Sequence, residues 1–261
     1  MEHKLYGILG HPISGSLSPI IQNIVLERLG ARYVPFDVEP DDFDMAVAGL
    51  RVLSDGFNVT IPYKRTIVRY IDELFGFARD IGVVNTVRVK AGRLEGFNTD
   101  VTALISLLKE RGLKVAGLSC LIVGAGGAAR AAVAALRELG CNDYGVFNRT
   151  PQNTEELIGV IREGGSGAEE VLPNVDVHKW NILVNATPMG MYGDDSILMK
   201  IHKAGHFSLV IDFAYKRGST RLANEAGVAI SGLDLLIEQA AQSIKIWTGL
   251  DPDRRAMRGG I

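Results

Sequence analysis

The sequence is poor in cysteine, and it contains no long uninterrupted apolar stretch. Its 261 residues include two cysteines, Cys120 and Cys141, and no C-x-x-C motif. We therefore expect no disulfide framework, and we expect reduced thiols in a cytoplasmic protein. No run of 18 apolar residues occurs, and the first residues lack the apolar segment of a signal peptide. The sequence therefore predicts neither a transmembrane helix nor a cleaved leader.

A strong excess of charge of either sign is also missing. Lysine and arginine number 28 and aspartate and glutamate 30, which gives a formal net charge of -2. Electrostatics therefore gives no case for a nucleic acid or an anionic membrane as a partner. His202 and His206 are four residues apart, but no H-E-x-x-H motif accompanies them. We interpret both histidines as surface residues near a helix end and predict no metal site.

A glycine-rich turn stands between an apolar run and a segment of strong helix formers. The apolar residues 121–123 lead into Gly124 and Gly126, and Ala129 opens an alanine-rich stretch. This G-x-G-x-x-A spacing is typical of a dinucleotide-binding βα turn. The first glycine permits a sharp turn, the second lets the backbone approach a pyrophosphate, and the following helix offers N–H groups to the phosphates. A glycine-rich turn without a ligand remains the alternative.

The next predicted strand, 144–147, ends in Asn148, Arg149 and Thr150. A site that prefers NAD would place an acidic residue about 20 residues after the fingerprint, to bind the ribose 2′-hydroxyl. Arg149 instead suits a 2′-phosphate, by its charge and by the fork geometry of its guanidinium. The alternative is that Arg149 is an ordinary solvated turn residue.

Strand-like and helix-like segments alternate along the chain, and several strands end in polar residues, as in a doubly wound α/β sheet that binds ligand at its carboxyl edge. We predict strands at 5–9, 32–38, 57–60, 82–89, 93–97, 121–123 and 144–147, one from 180 that feeds a loop reaching 191, and one at 208–215. We predict helices at 19–29, 41–53, from 62 and on through 72–80, at 101–111, 131–139, 153–162, 220–226 and 233–247. Gln239 lies on the last helix, where a glutamine is more often solvated than not, so its position alone is weak evidence for a site.

Two junctions carry polar side chains that could bind a ligand. Pro19 fits the first position of a helix and Ser18 its N-cap, so that Ser16 has no capping task. The two hydroxyls could hold a polyol or a carboxylate, although capping alone remains an alternative. Lys64 falls in the first turn of the helix predicted from Pro62, where the helix dipole disfavours a cation. Such a broken rule is a hint of function, although Lys64 could simply point into water.

Eight short motifs, taken together and in order, resemble the shikimate dehydrogenase family over nearly the whole chain. They are Ser16-Leu17-Ser18-Pro19, the segment from Asn58 to Lys64, Val84-Asn85-Thr86, Asn98-Thr99-Asp100, Gly124 to Arg130, Asn148-Arg149-Thr150, Asn185-Ala186-Thr187, and Gln239-Ala240-Ala241. The resemblance implies two α/β domains with a cleft between them. Residues 1–100 with 231–261 would form a substrate-binding catalytic domain, and 101–230 a Rossmann-like NADP-binding domain.

The resemblance also implies an activity and a role for individual residues. The activity is the NADP-dependent, reversible reduction of 3-dehydroshikimate to shikimate, a step of chorismate and aromatic amino acid biosynthesis. Lys64 and Asp100 would be the catalytic pair, although Asp100 could be only the N-cap of its helix. The substrate would be bound by Ser16, Ser18, Asn58, Thr60, Asn85, Tyr215 and Gln239. The cofactor would be bound by Gly124, Ala125, Gly126, Gly127, Ala128, Asn148, Arg149, Thr150, Thr187 and Gly232.

The chain departs from the family pattern at several positions. Gly15 and Gln22 stand at or near places where the family commonly has histidine, and Gln152 and Asn153 stand where it often has a further basic residue. The 2′-phosphate is thus left to Arg149 and to Arg130, which implies a weaker cofactor preference. The alternatives are a quinate/shikimate dehydrogenase with relaxed cofactor use and a non-catalytic metabolite sensor. The resemblance further implies a small-molecule substrate as partner and a monomer or homodimer.

Overall fold

The computed structural model describes residues 4–172, 177–191, 194–216 and 218–260. The strands are β1 Lys4–Gly10, β2 Ala31–Asp37, β3 Gly56–Val59, β4 Glu73–Leu74, β5 Thr86–Lys90, β6 Arg93–Phe97, β7 Ser119–Val123, β8 Asp143–Phe147, β9 Gly167–Glu170, β10 Ile182–Asn185, β11 Leu209–Asp212 and β12 Ala229–Ile230. The α-helices are α1 Ser18–Leu26, α2 Phe43–Leu53, α3 Phe77–Ile81, α4 Thr99–Glu110, α5 Gly127–Glu138, α6 Pro151–Glu163, α7 Ser196–Ala204, α8 Arg221–Glu225, α9 Gly232–Thr248 and α10 Arg254–Arg258. Short 3₁₀ helices cover Glu27–Leu29, Pro40–Asp42 and Thr66–Tyr70.

The chain forms two compact units. The first comprises the chain up to Thr99 together with the residues from Ile237 onward, and the second comprises Asp100–Leu236. Helix α9 therefore begins in the second unit and continues in the first. The mixed α/β architecture agrees with the predicted fold class.

The first unit is built on a mixed sheet of strand order β2-β1-β3-β5-β6-β4. Strands β2, β1 and β3 run parallel, whereas β5 is antiparallel to both β3 and β6. The apolar side chains of β3 and α2 meet in one buried cluster that includes Phe43, Val47 and Phe57. Burial of such side chains is the main force that holds the helix to the sheet.

The second unit is built on a parallel sheet of strand order β12-β11-β10-β7-β8-β9. Its β7 strand pairs with β8 on one side and with β10 on the other, and both pairings are parallel. The chain order thus reverses direction at β7. In doubly wound sheets, the carboxyl end of the strand at such a reversal is the usual place for a ligand. The glycine-rich turn follows β7 directly.

The helix predicted from Pro62 is absent from the structure, and of its predicted continuation through 72–80 only residues 77–80 are helical. Residues 61–65 form turns, Thr66–Tyr70 is a 3₁₀ helix, β4 follows, and α3 covers only Phe77–Ile81. Thr66, Ile67 and Val68 are β-branched and fit poorly into an α-helix. In addition, β4 pairs with β6 at Glu73 and Leu74, which draws the chain into the sheet. Lys64 therefore does not lie in a helical first turn, and the dipole argument for its function fails.

Other predicted boundaries need smaller corrections. Helix α4 begins at Thr99 rather than after Asp100, so Asp100 lies inside the first turn and is not the N-cap. Gln239 is only 9% exposed, so it is not solvated in the way that is usual for a glutamine on an amphipathic helix. His206 is exposed as predicted, whereas His202 is half-buried. Strands β4, β9 and β12 and helices α7 and α10 were not predicted.

Candidate functional site

The glycine-rich turn of the second unit has the backbone geometry that its spacing predicts. Gly124 has a φ of +109°, and its N–H donates to the Phe147 carbonyl at 2.8 Å. A Cβ atom on Gly124 would lie 2.9 Å from the Ala186 carbonyl oxygen, so only glycine fits there. By contrast, a Cβ atom on Gly126 would meet no atom within 4 Å. The backbone at Gly126 therefore borders open space, as a turn that receives a pyrophosphate requires.

The groups predicted to bind the cofactor phosphates lie next to this turn in the parallel sheet. Ala129 is fully buried, while α5 begins at Gly127 with its first N–H groups directed back toward the turn. Asn148 Nδ2 donates to the Thr150 carbonyl at 3.0 Å, which shapes the loop after β8. Arg149 on that loop is exposed, so its charge is accessible to a ligand.

Arg130 is less accessible than Arg149. Its side chain is 7% exposed, and its guanidinium lies 2.8 Å from Glu156 Oε1 on α6. The first turn of α5 is an unfavourable place for a cation, and the carboxylate of Glu156 offsets this. Arg130 thus serves the packing of α5 against α6, and Arg149 is the better placed of the two arginines for a phosphate.

A buried carboxylate connects the loops that follow β10 and β11. Asp212 is fully buried, and it accepts hydrogen bonds from Asn185 Nδ2 at 2.8 Å, from the Ala214 N–H at 3.0 Å and from the Thr220 hydroxyl. Asn185 Oδ1 in turn accepts from the Thr187 hydroxyl at 2.6 Å. Burial raises the pKa of Asp212, although the hydrogen bonds from Thr220, Asn185 and Ala214 oppose that shift.

The hydrogen-bond network around Asp212 involves the predicted cofactor ligand Thr187. It also fixes the loop after β11, which carries the predicted substrate ligand Tyr215. Thr187 is attached to the network through Asn185, and Tyr215 follows Ala214 and is half-buried. Gly232, at the start of α9, lies against the same loop. A Cβ atom on Gly232 would lie 2.1 Å from the Ala214 carbonyl oxygen. The structure thus gives Gly232 a close-packing role beside its predicted role in cofactor binding.

In the first unit, the two serines exchange the roles predicted from the sequence. Ser18 is the first residue inside α1, and Leu17 stands at the N-cap position. The Ser16 hydroxyl accepts a hydrogen bond from the Ser18 N–H at 3.3 Å. Ser16 therefore satisfies one of the N–H groups at the start of the helix, and Ser18 caps nothing.

Thr60 and Lys64 follow the carboxyl end of β3. The Thr60 N–H donates to the Leu9 carbonyl at 2.9 Å, and the Lys64 carbonyl accepts from the Val84 N–H at 2.9 Å. Both side chains are half-buried. Their backbones are therefore held by neighbouring segments of the same unit, while Asp100, which is 9% exposed, belongs to the second unit.

The first unit also contains a buried cluster of amides and hydroxyls. Three predicted substrate ligands belong to it, namely Asn58, Asn85 and Gln239. It further contains Gln22, Tyr33, Thr86, Thr99 and Ser243. Their side chains come from β2, β3, β5, α1, α4 and α9 or from residues next to these elements.

Sequence reasoning assigned no role to these last five residues. The sequence contains a partial indication of their position. Thr86 and Thr99 lie inside two of the eight family motifs, and Ser243 follows Gln239 by one helical turn. No local pattern places Tyr33 beside Asn58.

Among the described residues, no group of three or more histidine, cysteine, aspartate or glutamate side chains could hold a metal ion. Within the same part of the chain, no helix has the length and apolar character needed to cross a membrane.

Comparison with known proteins gives a consistent set of relatives. The family model of the shikimate dehydrogenase substrate binding domain matches residues 8–87, and that of the shikimate 5′-dehydrogenase C-terminal domain matches residues 232–259. The chain is similar to the shikimate dehydrogenase (NADP(+)) of Methanothermobacter thermautotrophicus, with 38% identity over 98% of this chain and 94% of that protein. It is also similar to the enzyme of the same name from Methanocaldococcus jannaschii, with 37% identity over 99% of this chain and 96% of that protein.

Solved structures of shikimate dehydrogenases are also similar to this chain. A crystal structure of a shikimate dehydrogenase in complex with NADP+ has a TM-score of 0.86 and 34% identity, and the match covers 99% of this chain and 94% of that one. The structure of shikimate 5-dehydrogenase from Thermus thermophilus with NADP(H) and shikimate has a TM-score of 0.82 and 33% identity, and the match covers 98% of each chain.

Proposed function

The chain belongs to the shikimate dehydrogenase family, and on that basis we propose that it catalyses the reversible NADP-dependent reduction of 3-dehydroshikimate to shikimate. The observation that carries this proposal is the similarity, over 98% of the chain, to a relative named for that activity and cofactor. The glycine-rich turn at the chain reversal of a parallel sheet and the buried amide cluster support it. The enzyme is thus an oxidoreductase that acts on a CH–OH group.

The residues of the second unit fit NADP. The open space beside Gly126 and the N–H groups at the start of α5 suit the pyrophosphate, which Gly124, Ala125, Gly126, Gly127 and Ala128 would hold. Arg149, with Asn148 and Thr150, would bind the 2′-phosphate. Thr187 and Gly232 would complete the site. When bound, the reduced cofactor supplies the hydride.

Substrate binding falls to hydroxyl and amide side chains. Ser16 and Ser18 would hold the carboxylate of shikimate at the start of α1. Its hydroxyls would be bound by Thr60, Asn85, Tyr215 and Gln239. The resemblance also implies a substrate contact for Asn58, whose side-chain amide is engaged by buried partners within the first unit.

Lys64 and Asp100 would carry the proton chemistry. When the ketone is reduced, its oxygen gains negative charge, and the Lys64 ammonium can stabilise that charge and donate a proton to the oxygen. In the reverse direction, the neutral amine accepts the proton from the substrate hydroxyl. The Asp100 carboxylate would accept a hydrogen bond from Lys64 and keep its ammonium oriented.

The direct test is a steady-state assay with shikimate and NADP+, repeated with NAD+ and with quinate. We expect activity with shikimate and NADP+, and Lys64→Ala should lower kcat at least ~100-fold, the usual scale for loss of a general acid–base group. The KM for shikimate should change much less, because serines and amides still bind the substrate. Lys90→Ala, which removes an exposed lysine of the same unit, is the control.

The same assay separates the alternatives. A Lys64→Ala enzyme that turns over near the wild-type rate would exclude the proposed proton transfer. Higher kcat/KM with quinate or with NAD+ would favour the quinate/shikimate dehydrogenase alternative, which the names of the relatives do not favour. Binding of shikimate without turnover would favour a sensor.

The proposal includes a cytoplasmic location, a monomer or homodimer, and no nucleic-acid partner. It is supported by two free, buried cysteines and by a formal net charge of -2. Fractionation of cells and the molar mass in solution measure the first two.

A further inference from the structure

The side-chain amide of Asn58 already uses its hydrogen-bonding capacity inside the protein. A primary amide has two N–H donors and two acceptor lone pairs. Asn58 Oδ1 accepts from Gln22 Nε2 at 2.7 Å and from the Tyr33 hydroxyl at 2.8 Å. Its Nδ2 atom lies within 3.1 Å of three acceptor oxygens. A substrate hydroxyl could bind this amide only by displacing a buried partner.

One backbone carbonyl fixes the direction of all these hydrogen bonds. The Asn85 carbonyl lies 3.1 Å from Asn58 Nδ2, and a carbonyl can only accept. The nitrogen of the Asn58 amide must therefore face Asn85, which turns Oδ1 toward Tyr33 and Gln22. Gln22 must then present its own nitrogen to Asn58. The opposite orientation of Asn58 would set two carbonyl oxygens against each other.

The other two acceptors of Asn58 are buried hydroxyls. Thr86 Oγ1 and Ser243 Oγ each lie 2.9 Å from Asn58 Nδ2. Ser243 Oγ donates its only hydrogen to the Gln239 carbonyl at 2.9 Å. Toward Asn58 Nδ2 the Ser243 hydroxyl can therefore only accept. Thr86 Oγ1 lies 3.1 Å from Asn85 Oδ1, to which it can donate. Asn58 is thus connected to Asn85 both through the backbone carbonyl and through Thr86.

Asn85 differs from Asn58 in having a donor left for a ligand. Its Oδ1 atom accepts the Thr99 N–H at 2.7 Å, which directs the oxygen inward. Among the described residues, Asn85 Nδ2 has one acceptor, the Thr99 hydroxyl at 3.0 Å. The second N–H of this amide remains for a substrate hydroxyl.

We propose that Asn58 is a positioning residue, which fixes the Asn85 amide in the orientation that binds shikimate and does not itself contact the substrate. This inference rests on the proposed function. It assigns Gln22 and Tyr33 to the same task one step further from the substrate, since both hold Asn58 Oδ1.

The test is a double-mutant cycle between Asn58 and Asn85, read as kcat/KM for shikimate. Asn58→Asp keeps the shape but places an acceptor against the Asn85 carbonyl, and we expect at least a tenfold loss, mostly in KM. In an Asn85→Ala background the same substitution should cost less than twofold, because the group that it positions is gone. If the two losses multiply instead, Asn58 binds the substrate independently and the inference is wrong.

A milder variant covers the case in which Asn58→Asp does not fold. Tyr33→Phe removes one donor to Asn58 Oδ1, and we expect KM for shikimate to rise about threefold, on the scale of a modest hydrogen bond, with no rise in the Asn85→Ala background. Tyr144→Phe is the matched control, because it removes a buried hydroxyl that donates to the Cys141 carbonyl at 2.7 Å in the second unit. It should lower the melting temperature and leave KM unchanged. A Tyr33→Phe enzyme with unchanged KM contradicts the inference.

A structure of the shikimate complex gives an independent answer. We expect both amide atoms of Asn58 to lie beyond 3.5 Å, the limit of a hydrogen bond, from every shikimate oxygen. A distance of 3.2 Å or less would overturn the positioning role. Wild-type protein that neither binds nor oxidises shikimate would refute the proposed function itself, which distinguishes the two failures.

Discussion

Ser16 and Ser18 are two residues apart at the start of α1, and one hydrogen bond between them gives the two side chains different structural roles. The Ser16 hydroxyl accepts the N–H of Ser18, whose own side chain is 3% exposed and lies inside the helix. A hydroxyl that satisfies a helix-start N–H contributes to stability as well as to any ligand contact. The two serines should therefore differ when each is replaced by alanine.

We expect Ser16→Ala to raise KM for shikimate and to lower the free energy of unfolding by about 0.5–1 kcal/mol, the scale of a lost helix-start hydrogen bond. Ser18→Ala should raise KM with little change in melting temperature. Thermal unfolding and steady-state kinetics on both variants measure this. A larger loss of stability in Ser18→Ala than in Ser16→Ala would show that Ser18 is the capping residue after all.

Single residues could be predicted where their chemistry is local. The positive φ of Gly124 follows from its place between an apolar strand and a helix, because every signal lies within a few residues. The internal saturation of Asn58 could not be predicted in this way. Its partner Ser243 is 185 residues away in the chain, and no spacing rule connects them.

At the scale of elements, the loops after β10 and β11 are organised by one buried carboxylate. Asp212 binds Asn185 at the end of β10, Ala214 just beyond β11, and Thr220 at the start of α8. A raised pKa means that folded protein binds a proton at pH values where the unfolded chain does not. The stability contributed by Asp212 therefore falls as the pH rises from 3.8, the ordinary pKa of an aspartate, to the raised pKa of the folded protein.

Asp212→Asn should remove this dependence, and the Thr220 hydroxyl can accept from the new amide. We expect the stability of the wild type relative to Asp212→Asn to decrease as the pH rises through that window and to be constant above it. Chemical unfolding of both proteins over a series of pH values measures the difference. Asp80→Asn, which neutralises an exposed carboxylate, is the control. A difference that is constant over the whole series would show that Asp212 has an ordinary pKa.

Helices and strands could be predicted from the sequence where the residues of the segment itself determine its secondary structure. The strand, turn and helix of β7 and α5 follow from an apolar run, two glycines and an alanine-rich stretch. The helix prediction for residues 61–80 failed because β4 forms only by pairing with β6, with Glu73 opposite Glu95. Such pairing between distant segments overrides the local helix signal of a proline.

At the scale of the whole molecule, the first unit depends on the last part of the chain. Trp247 of α9 stacks on Tyr6 of β1 with ring centroids 4.8 Å apart, and its indole N–H donates to the Val87 carbonyl at 2.9 Å. A Cβ atom on Gly56 would lie 2.5 Å from the indole nitrogen, so β3 is fitted closely to this ring. The family resemblance implied that the C-terminal residues belong to the first unit. It did not imply the contacts that Trp247 makes there.

We expect a chain that ends at Leu236 to lose the structure of its first unit, because the sheet would expose the surface that Trp247 and Ser243 cover. The second unit, Asp100–Leu236, should keep its parallel sheet. Hydrogen exchange read by mass spectrometry measures protection strand by strand. Slow exchange in β1 and β3 of the shortened chain would show that the first unit folds without its C-terminal part.

The two tryptophans of the sequence are divided between the units, with Trp180 fully buried in the second and Trp247, 8% exposed, in the first. Each unit therefore carries one tryptophan fluorophore. Lys179 lies over the Trp180 ring at 4.4 Å, whereas Trp247 has the tyrosine ring of Tyr6 as its neighbour, so the two indoles sit in different electrostatic surroundings. Replacing either one by phenylalanine leaves a tryptophan emission that belongs to a single unit, and the unfolding of each unit can be followed in the intact chain without any attached dye.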